Sequence, residues 1–255
     1  MSYIDGFVLA VPTANKQTFI DHASTTGGAM MEYGATRVVE CWGADVPRGK
    51  TTDFQGAVAA RHDETVVFSW IEWPDKAARD KVMGRMQELS QTDARLDPAQ
   101  NPMPFDGKRL IYGGFEPIVE RGEETSDSYV QGFIVPVPVA RREDYRKLAE
   151  EAWAMFRDYG ALRLVEAWGD DVPNGKVTDF RRAVKAGPDE AIVFSFIEWP
   201  SRAICDAAAE RMKQDERMQP PEGAEMPFDM QRMVFGGFAR VVSLDTSQRG
   251  ARSAA

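Results

Sequence analysis

The segment from Tyr33 to Pro74, YGATRVVECWGADVPRGKTTDFQGAVAARHDETVVFSWIEWP, returns from Tyr159 to Pro200 as YGALRLVEAWGDDVPNGKVTDFRRAVKAGPDEAIVFSFIEWP. The offset is a constant 126 residues, with no gap inside the block. A chain that repeats itself over so long a run is two copies of one structural unit, each of roughly 120 residues, a usual domain size. The 255 residues therefore divide into a first unit at 1–120, a linker at 121–128, a second unit at 129–243 and a disordered polar tail at 244–255.

Each unit reads the same way. Tyr3–Val11 alternates apolar and small residues and predicts a strand stopped at Pro12; its copy is Tyr129–Val137. A helix follows, clearest in the second copy, where Tyr145, Leu148, Ala149, Ala152 and Phe156 recur at helical spacing. Gly160 and Gly34 stand where a left-handed C-terminal cap would end it. In the first copy, Gly27 and Gly28 weaken the pattern by about 1 kcal/mol each relative to alanine.

The second strand is Ala35–Trp42, with Val38, Glu40 and Trp42 on one face. A polar loop and a short turn or helix at Gln55–Ala60 lead to the third strand, Thr65–Trp73. Asp75, or Ser201 in the second copy, can cap a helix running to about Leu89, and Arg109–Val119 is the fourth strand. Between that helix and the MPFD loop the register slips by three residues, so Met226–Asp229 answers Met103–Asp106 at an offset of 123.

The order β-α-β-β-α-β, twice, is α+β and ferredoxin-like. A four-stranded antiparallel sheet with two helices on one face leaves its other face bare, and an apolar sheet face must be covered. Two copies in one chain supply the cover, so the tandem ferredoxin-like repeats are expected to close face to face as a barrel within one chain.

With 43% hydrophobic and 28% charged residues the chain suits a soluble surface over a sizeable core. The net charge of −9 repels phosphate backbones and anionic lipid, which disfavours nucleic-acid and membrane partners. No apolar run approaches membrane-spanning length, and the N-terminus has no signal-peptide pattern, so a cytoplasmic protein is expected. Cys41 and Cys205 fall at unlike positions of the two copies, and two histidines lack ligand spacing. No metal and no cofactor is assigned.

GFVLAVP, Tyr33-Gly34-Ala35, Glu40-Cys41-Trp42-Gly43, Asp45-Val46-Pro47, Lys50-Thr51-Thr52-Asp53-Phe54, Val67-Phe68-Ser69-Trp70, Met103-Pro104-Phe105-Asp106-Gly107-Lys108-Arg109 and Tyr112-Gly113-Gly114-Phe115 together resemble the family named domain of unknown function 1428. That resemblance covers nearly the whole chain, once per copy. It implies bacterial proteins of one such unit with a dimeric α/β-barrel fold, and here a dimer built within one polypeptide. It carries a fold and no catalytic residues. The second copy departs from the motif at Met230-Gln231, against Gly107-Lys108, and at Phe235, against Tyr112. A site needing that lysine or that hydroxyl would be single.

Polar residues identical in both copies are the candidates. Glu40 and Glu166 stand in mid-strand among apolar residues; if their face lines the barrel, burial raises their pKa and a general acid or base results. The plainer alternative is a salt bridge to Arg37, Lys50 or Arg109. Ser69 and Ser195 lie in a strand with aromatic neighbours, but the second copy has no histidine, so a Ser-His-Asp triad cannot form twice. Asp45, Lys50, Thr52 and Asp53, with Asp171, Lys176, Thr178 and Asp179, occupy a loop where ligands could bind. Asp before Phe is equally a turn or a cap.

Trp42 with Trp168, and Trp70, Trp73 and Phe115, could line an aromatic pocket or simply form core. His22 falls where the second copy has Leu148, and Gly27 where it has Trp153; together they could open a pocket on one side only. Three functions remain open at this point. They are a small-molecule binder with a cavity in or beside the barrel, an enzyme related to cofactor-independent monooxygenases by fold analogy, and an interaction module without ligand. The internal pseudo-dimer could be a monomer or form a homodimer.

Overall fold

A computed structural model describes residues 2–125, 127–218 and 225–246. Each repeat supplies four strands: β1 (Tyr3–Pro12), β2 (Arg37–Asp45), β3 (Glu64–Trp73) and β4 (Ile111–Gly122), then β5 (Tyr129–Pro138), β6 (Arg163–Asp171), β7 (Glu190–Trp199) and β8 (Val234–Asp245). They close into one antiparallel barrel in the order β1-β3-β2-β8-β5-β7-β6-β4. Within each repeat the order is that of a ferredoxin-like sheet. The seams are β2–β8 and β4–β6, each with register shifts at Glu40/Cys41 and Gly43/Asp45 or at their counterparts on β4 and β6. Closure removes the free sheet edges that two separate units would expose.

Two long helices lie on the outside, α1 (Lys16–Tyr33) and α5 (Arg142–Asp158). Each ends at a residue with positive φ or one step before it, Gly34 at 120° and Gly160 at 97°. α1 packs over the β2–β8 seam, and α5 over β4, β5 and β6. α2 (Phe54–Ala57) and α6 (Phe180–Ala183) plug one end of the barrel. The single helix expected after Asp75 is broken into α3 (Lys76–Met83) and α4 (Met86–Thr92), because Gly84 and Arg85 turn the chain there. Its counterpart is α7 (Arg202–Met212). Asp75 caps α3 by accepting from the Ala78 amide at 2.7 Å, and Ser201 caps α7 by accepting from Ile204 at 3.3 Å.

The lumen is filled by aromatic side chains that meet their own counterparts. Phe68 stacks on Phe194 at 4.5 Å between centroids, and Trp70 on Phe196 at 4.1 Å. Gly6 and Gly132 let the rings lie flat against the strands. A Cβ at either would stand 2.8 Å from the opposing phenylalanine. The cavity expected between the two sheets is thus replaced by packed core.

β8 continues through Asp245, two residues into the stretch expected to be tail; residues 247–255 lie outside the described residues. The linker expected at 121–128 begins inside β4 and is tied down. The Thr125 carbonyl accepts from Arg37 at 2.7 Å and from Arg240, and the Ser128 side chain is buried.

Candidate functional site

Strand alternation decides which side each candidate faces. Val39 and Cys41 point into the lumen, so Val38, Glu40 and Trp42 point outward beneath the helices. Glu40 therefore does not line the barrel interior. It faces α1 across a cavity of about 90 Å³. The walls are Phe7, Leu9, Phe19, Val38 and Ile71, with Ser69 beside Glu40. His22, Ala23, Thr26, Gly27 and Met30 of α1, with Phe105, form the other side of this half-open space, and His22 and Thr26 are themselves half-exposed.

Glu40 has no salt bridge among the described residues. Ser69 donates a short hydrogen bond to its Oε2, and apolar burial raises its pKa to about 7, the Ser69 bond pulling the other way. The cations considered for it are engaged elsewhere or remote. Arg37 pairs with Glu72 and Glu198, Arg109 pairs with Glu64 at 2.6 Å, and Lys50 is exposed. At neutral pH the group is therefore a mixture of carboxylic acid and carboxylate, able to donate or accept a proton.

A second polar element flanks the mouth. Asn101 donates to the Arg95 carbonyl at 2.8 Å and to Thr26 Oγ1 at 3.1 Å, and its Oδ1 lies 2.8 Å from His22 Nδ1. A carbonyl oxygen only accepts, so the Asn101 amide is oriented by Arg95, and His22 Nδ1 must carry the proton it donates.

The equivalent place under α5 is lined differently. Tyr145, at the position of Phe19, donates to Glu166 Oε2 at 2.7 Å. Glu166 is buried and also raised to about 7, by burial first, with hydrogen bonds from Tyr145 and Ser195 opposing. Leu148 and Ala152 replace His22 and Thr26, and Trp153 packs against the cluster containing Ala149, Leu164 and Trp199.

The remaining candidates have structural roles. Asp53 Oδ1 caps α2 by accepting from Gly56 at 2.6 Å, and Oδ2 accepts from Gly49 at 3.1 Å; Asp179 does the same for Arg182 and Gly175. That cap aims Phe54 and Phe180 into the barrel end. Thr52 and Thr178 bond across the repeats to the carbonyls of Arg232 and Ala57. Lys50 and Lys176 are exposed, and Asp45 and Asp171 pair with Arg202 and Arg79. Trp70 and Phe115 are lumen core, while Trp42, Trp168 and Trp73 pack on the outer face, all outside the cavity walls. Tyr112 and Phe235 are exposed, also away from the cavity.

Sequence reasoning missed two features. One is Asn101, which lies in the stretch where the copies slip register, so comparing them could not single it out. The other is a buried charge network at the barrel end opposite α2 and α6. Arg37 reaches Glu198 at 2.9 Å and Arg163 reaches Glu72 at 2.8 Å, each pair joining the two repeats. Arg240 adds a contact to Glu198, and Arg163 contacts Glu120 at 2.6 Å. Burial alone would raise Glu72 and Glu198, but Arg163 and Arg37 hold both carboxyls below the usual range. Glu72, Glu120 and Glu124 bring oxygens within 4.8 Å of one another, with Arg163 paired to all three. No helix among the described residues is long and apolar enough to cross a membrane.

Comparison with known proteins fits this architecture. The uncharacterized protein YbaA of Escherichia coli K12 is 51% identical over 114 residues, which span 45% of this chain and 97% of YbaA; the Shigella flexneri protein of that name matches equally. Among solved structures, a putative monooxygenase from Lactobacillus acidophilus superposes with a TM-score of 0.57 at 13% identity, covering 96% of each chain. A putative monooxygenase from Fusobacterium nucleatum gives 0.55 at 10% identity, covering 96% of this chain and 94% of that one. An anthrone oxidase-like protein gives 0.51 at 12%, covering 95% and 92%. At such identities the likeness is one of fold alone, a dimeric α/β-barrel. The family model described as protein of unknown function (DUF1428) matches residues 2–107 and again 128–230, so the chain belongs to the DUF1428 family as two tandem copies of its unit.

Proposed function

We propose that the cavity between α1 and the outer face of β1, β3 and β2 binds a small, largely apolar molecule that hydrogen-bonds to Glu40. The observation that carries this reading is a carboxyl facing a cavity of about 90 Å³ with Ser69 as its partner and no cation among the described residues. Glu40 is half-buried with Ser69 as its hydrogen-bond partner, and a ligand bonded to it would take the place of water in apolar surroundings. The space exceeds what one water needs, so it admits several waters or a small organic molecule. Larger ligands would extend past His22 and Thr26 at the mouth. Among the described residues the second repeat lacks the same arrangement, because Tyr145 and Trp153 occupy the corresponding region. A monooxygenase reading would rest on fold likeness alone, and this fold supports many chemistries.

Native mass spectrometry of the protein as purified, with a denatured control, tests the reading. An added mass that is lost on denaturation and reduced in Phe19→Tyr is the expected result. An added mass unaffected by Phe19→Tyr would place the ligand elsewhere and contradict the assignment.

A further inference from the structure

The His22 ring presents two unlike nitrogens. Nδ1 is committed as a donor to Asn101, whose own orientation is fixed by the Arg95 carbonyl. Nε2 then carries a lone pair in the neutral ring, and it has no protein partner among the described residues. Glu40 stands on the floor of the same cavity, with Oε2 held by Ser69. Oε1 has no protein partner among the described residues, so a carboxyl proton carried there is free to be given to a ligand. A cavity with apolar walls thus holds one base and one acid on different elements, α1 and β2.

We propose that this cavity is a proton-transfer site for a small enolisable carbonyl compound, with His22 Nε2 as the base and the Glu40 carboxyl as the acid. The inference rests on the binding reading above. The step balances without an oxidant or reductant. Nε2 takes a proton from the carbon beside the carbonyl, and the C–H pair becomes the C=C bond. The C=O π pair takes the Glu40 proton, leaving an enol, an imidazolium and a carboxylate. Return of a proton from His22 to carbon, and of the enol proton to Glu40, regenerates both groups and completes a tautomerisation or an exchange. Asn101 acts as a positioning residue, since it sets which nitrogen is the base. The second repeat has Leu148 in place of the base and Tyr145 on its carboxylate, so it lacks the pair.

The test follows α-hydrogen exchange of cyclopentanone and of 2-butanone in D₂O by NMR, with the full chain and with His22→Leu, Glu40→Gln and Asn101→Leu. Leucine is the residue the second repeat carries at the His22 position, so that variant keeps a side chain the equivalent place on α5 accepts. The Ile71 methyl signal reports binding independently, and the methyl spectrum reports folding of every variant. Exchange about 100-fold faster than in buffer is expected. It should fall to the buffer rate in His22→Leu and Glu40→Gln, and its pH profile should shift in Asn101→Leu. Exchange at the buffer rate with the wild-type chain for both ketones overturns the inference, as does exchange that survives His22→Leu. If cyclopentanone still shifts Ile71 in the first case, the binding reading stands and only the chemistry falls. If Ile71 does not move either, both fall.

Discussion

Under α5, Glu166 accepts from the Tyr145 hydroxyl and Trp153 packs over the neighbouring core; under α1, the same positions hold Phe19 and Gly27, and Glu40 faces a cavity. The backbone plan is shared, and the side chains that differ most between the two interfaces are Phe19 for Tyr145, His22 for Leu148, Thr26 for Ala152 and Gly27 for Trp153. In a dimer of single units any such change is made twice. Fusion lets one copy keep a polar, open interface while the other is filled and contributes packing. The lumen and the buried charge network are built jointly by both repeats, with Phe68 on Phe194 and the Arg37–Glu198 and Arg163–Glu72 pairs crossing between them.

The comparison can be broken first at its largest difference. Trp153→Ala should cost about 3 kcal/mol in urea denaturation, because a large packed side chain is removed and a void left behind. Gly27→Ala should change stability by less than about 1 kcal/mol. The helix-propensity gain is opposed by a new Cβ 3.1 Å from Val38 and Leu244. Equal losses at both positions would mean that the two interfaces are packed alike.

The pH dependence sharpens the comparison next. Glu40 and Glu166 have folded pKa values near 7 against an ordinary value of 4.5. Between those values the folded chain holds more protons than the unfolded chain. Their contribution is therefore complete below about 4.5 and is lost as the pH rises through about 7. Glu40→Gln and Glu166→Gln should each flatten that slope and raise stability at pH 8 by on the order of 1–3 kcal/mol relative to wild type. Thermal melts between pH 5 and pH 8 would show it. A slope unchanged in both variants would mean that neither carboxyl titrates in this window.

Smaller effects come from the hydroxyl that distinguishes the two carboxyls. Tyr145→Phe should lose about 1–2 kcal/mol by stripping a buried carboxyl of a partner. Phe19→Tyr should gain about 0.5–1 kcal/mol by giving Glu40 the bond that Glu166 already has. Both are readable by chemical denaturation, and a loss on Phe19→Tyr would mean that the cavity cannot admit the hydroxyl.

Much of the architecture was legible in the residues. The repeat dictated two units, strand alternation and the prolines placed β1 and β5, and the bare sheet face demanded a barrel. The side on which Glu40 sits was not legible. Alternation groups Val38, Glu40 and Trp42 on one face but cannot say whether that face meets the lumen or a helix. Only the packing of Phe68 on Phe194 in the lumen, with α1 over the outer face, decides it. The caps at Asp53 and Asp179 followed from local chemistry. The charge network did not, because Arg37, Glu72, Arg163 and Glu198 are far apart in sequence and meet only when the two repeats close. His22 and Gly27 stood out because the second copy differs there, whereas Asn101 had no aligned counterpart.

The most direct test of a single open site uses the repeat as its own control. Ile71 lines the cavity, and Ile197 occupies the equivalent position within the filled interface of the second repeat. With isoleucine methyls labelled, phenol, cyclopentanone and 2-butanone would be titrated into the protein and followed by NMR. The account predicts saturable shifts at Ile71, no matching shifts at Ile197, and loss of the Ile71 response in Phe19→Tyr. Equal movement at both methyls, or movement at Ile197 alone, would contradict it.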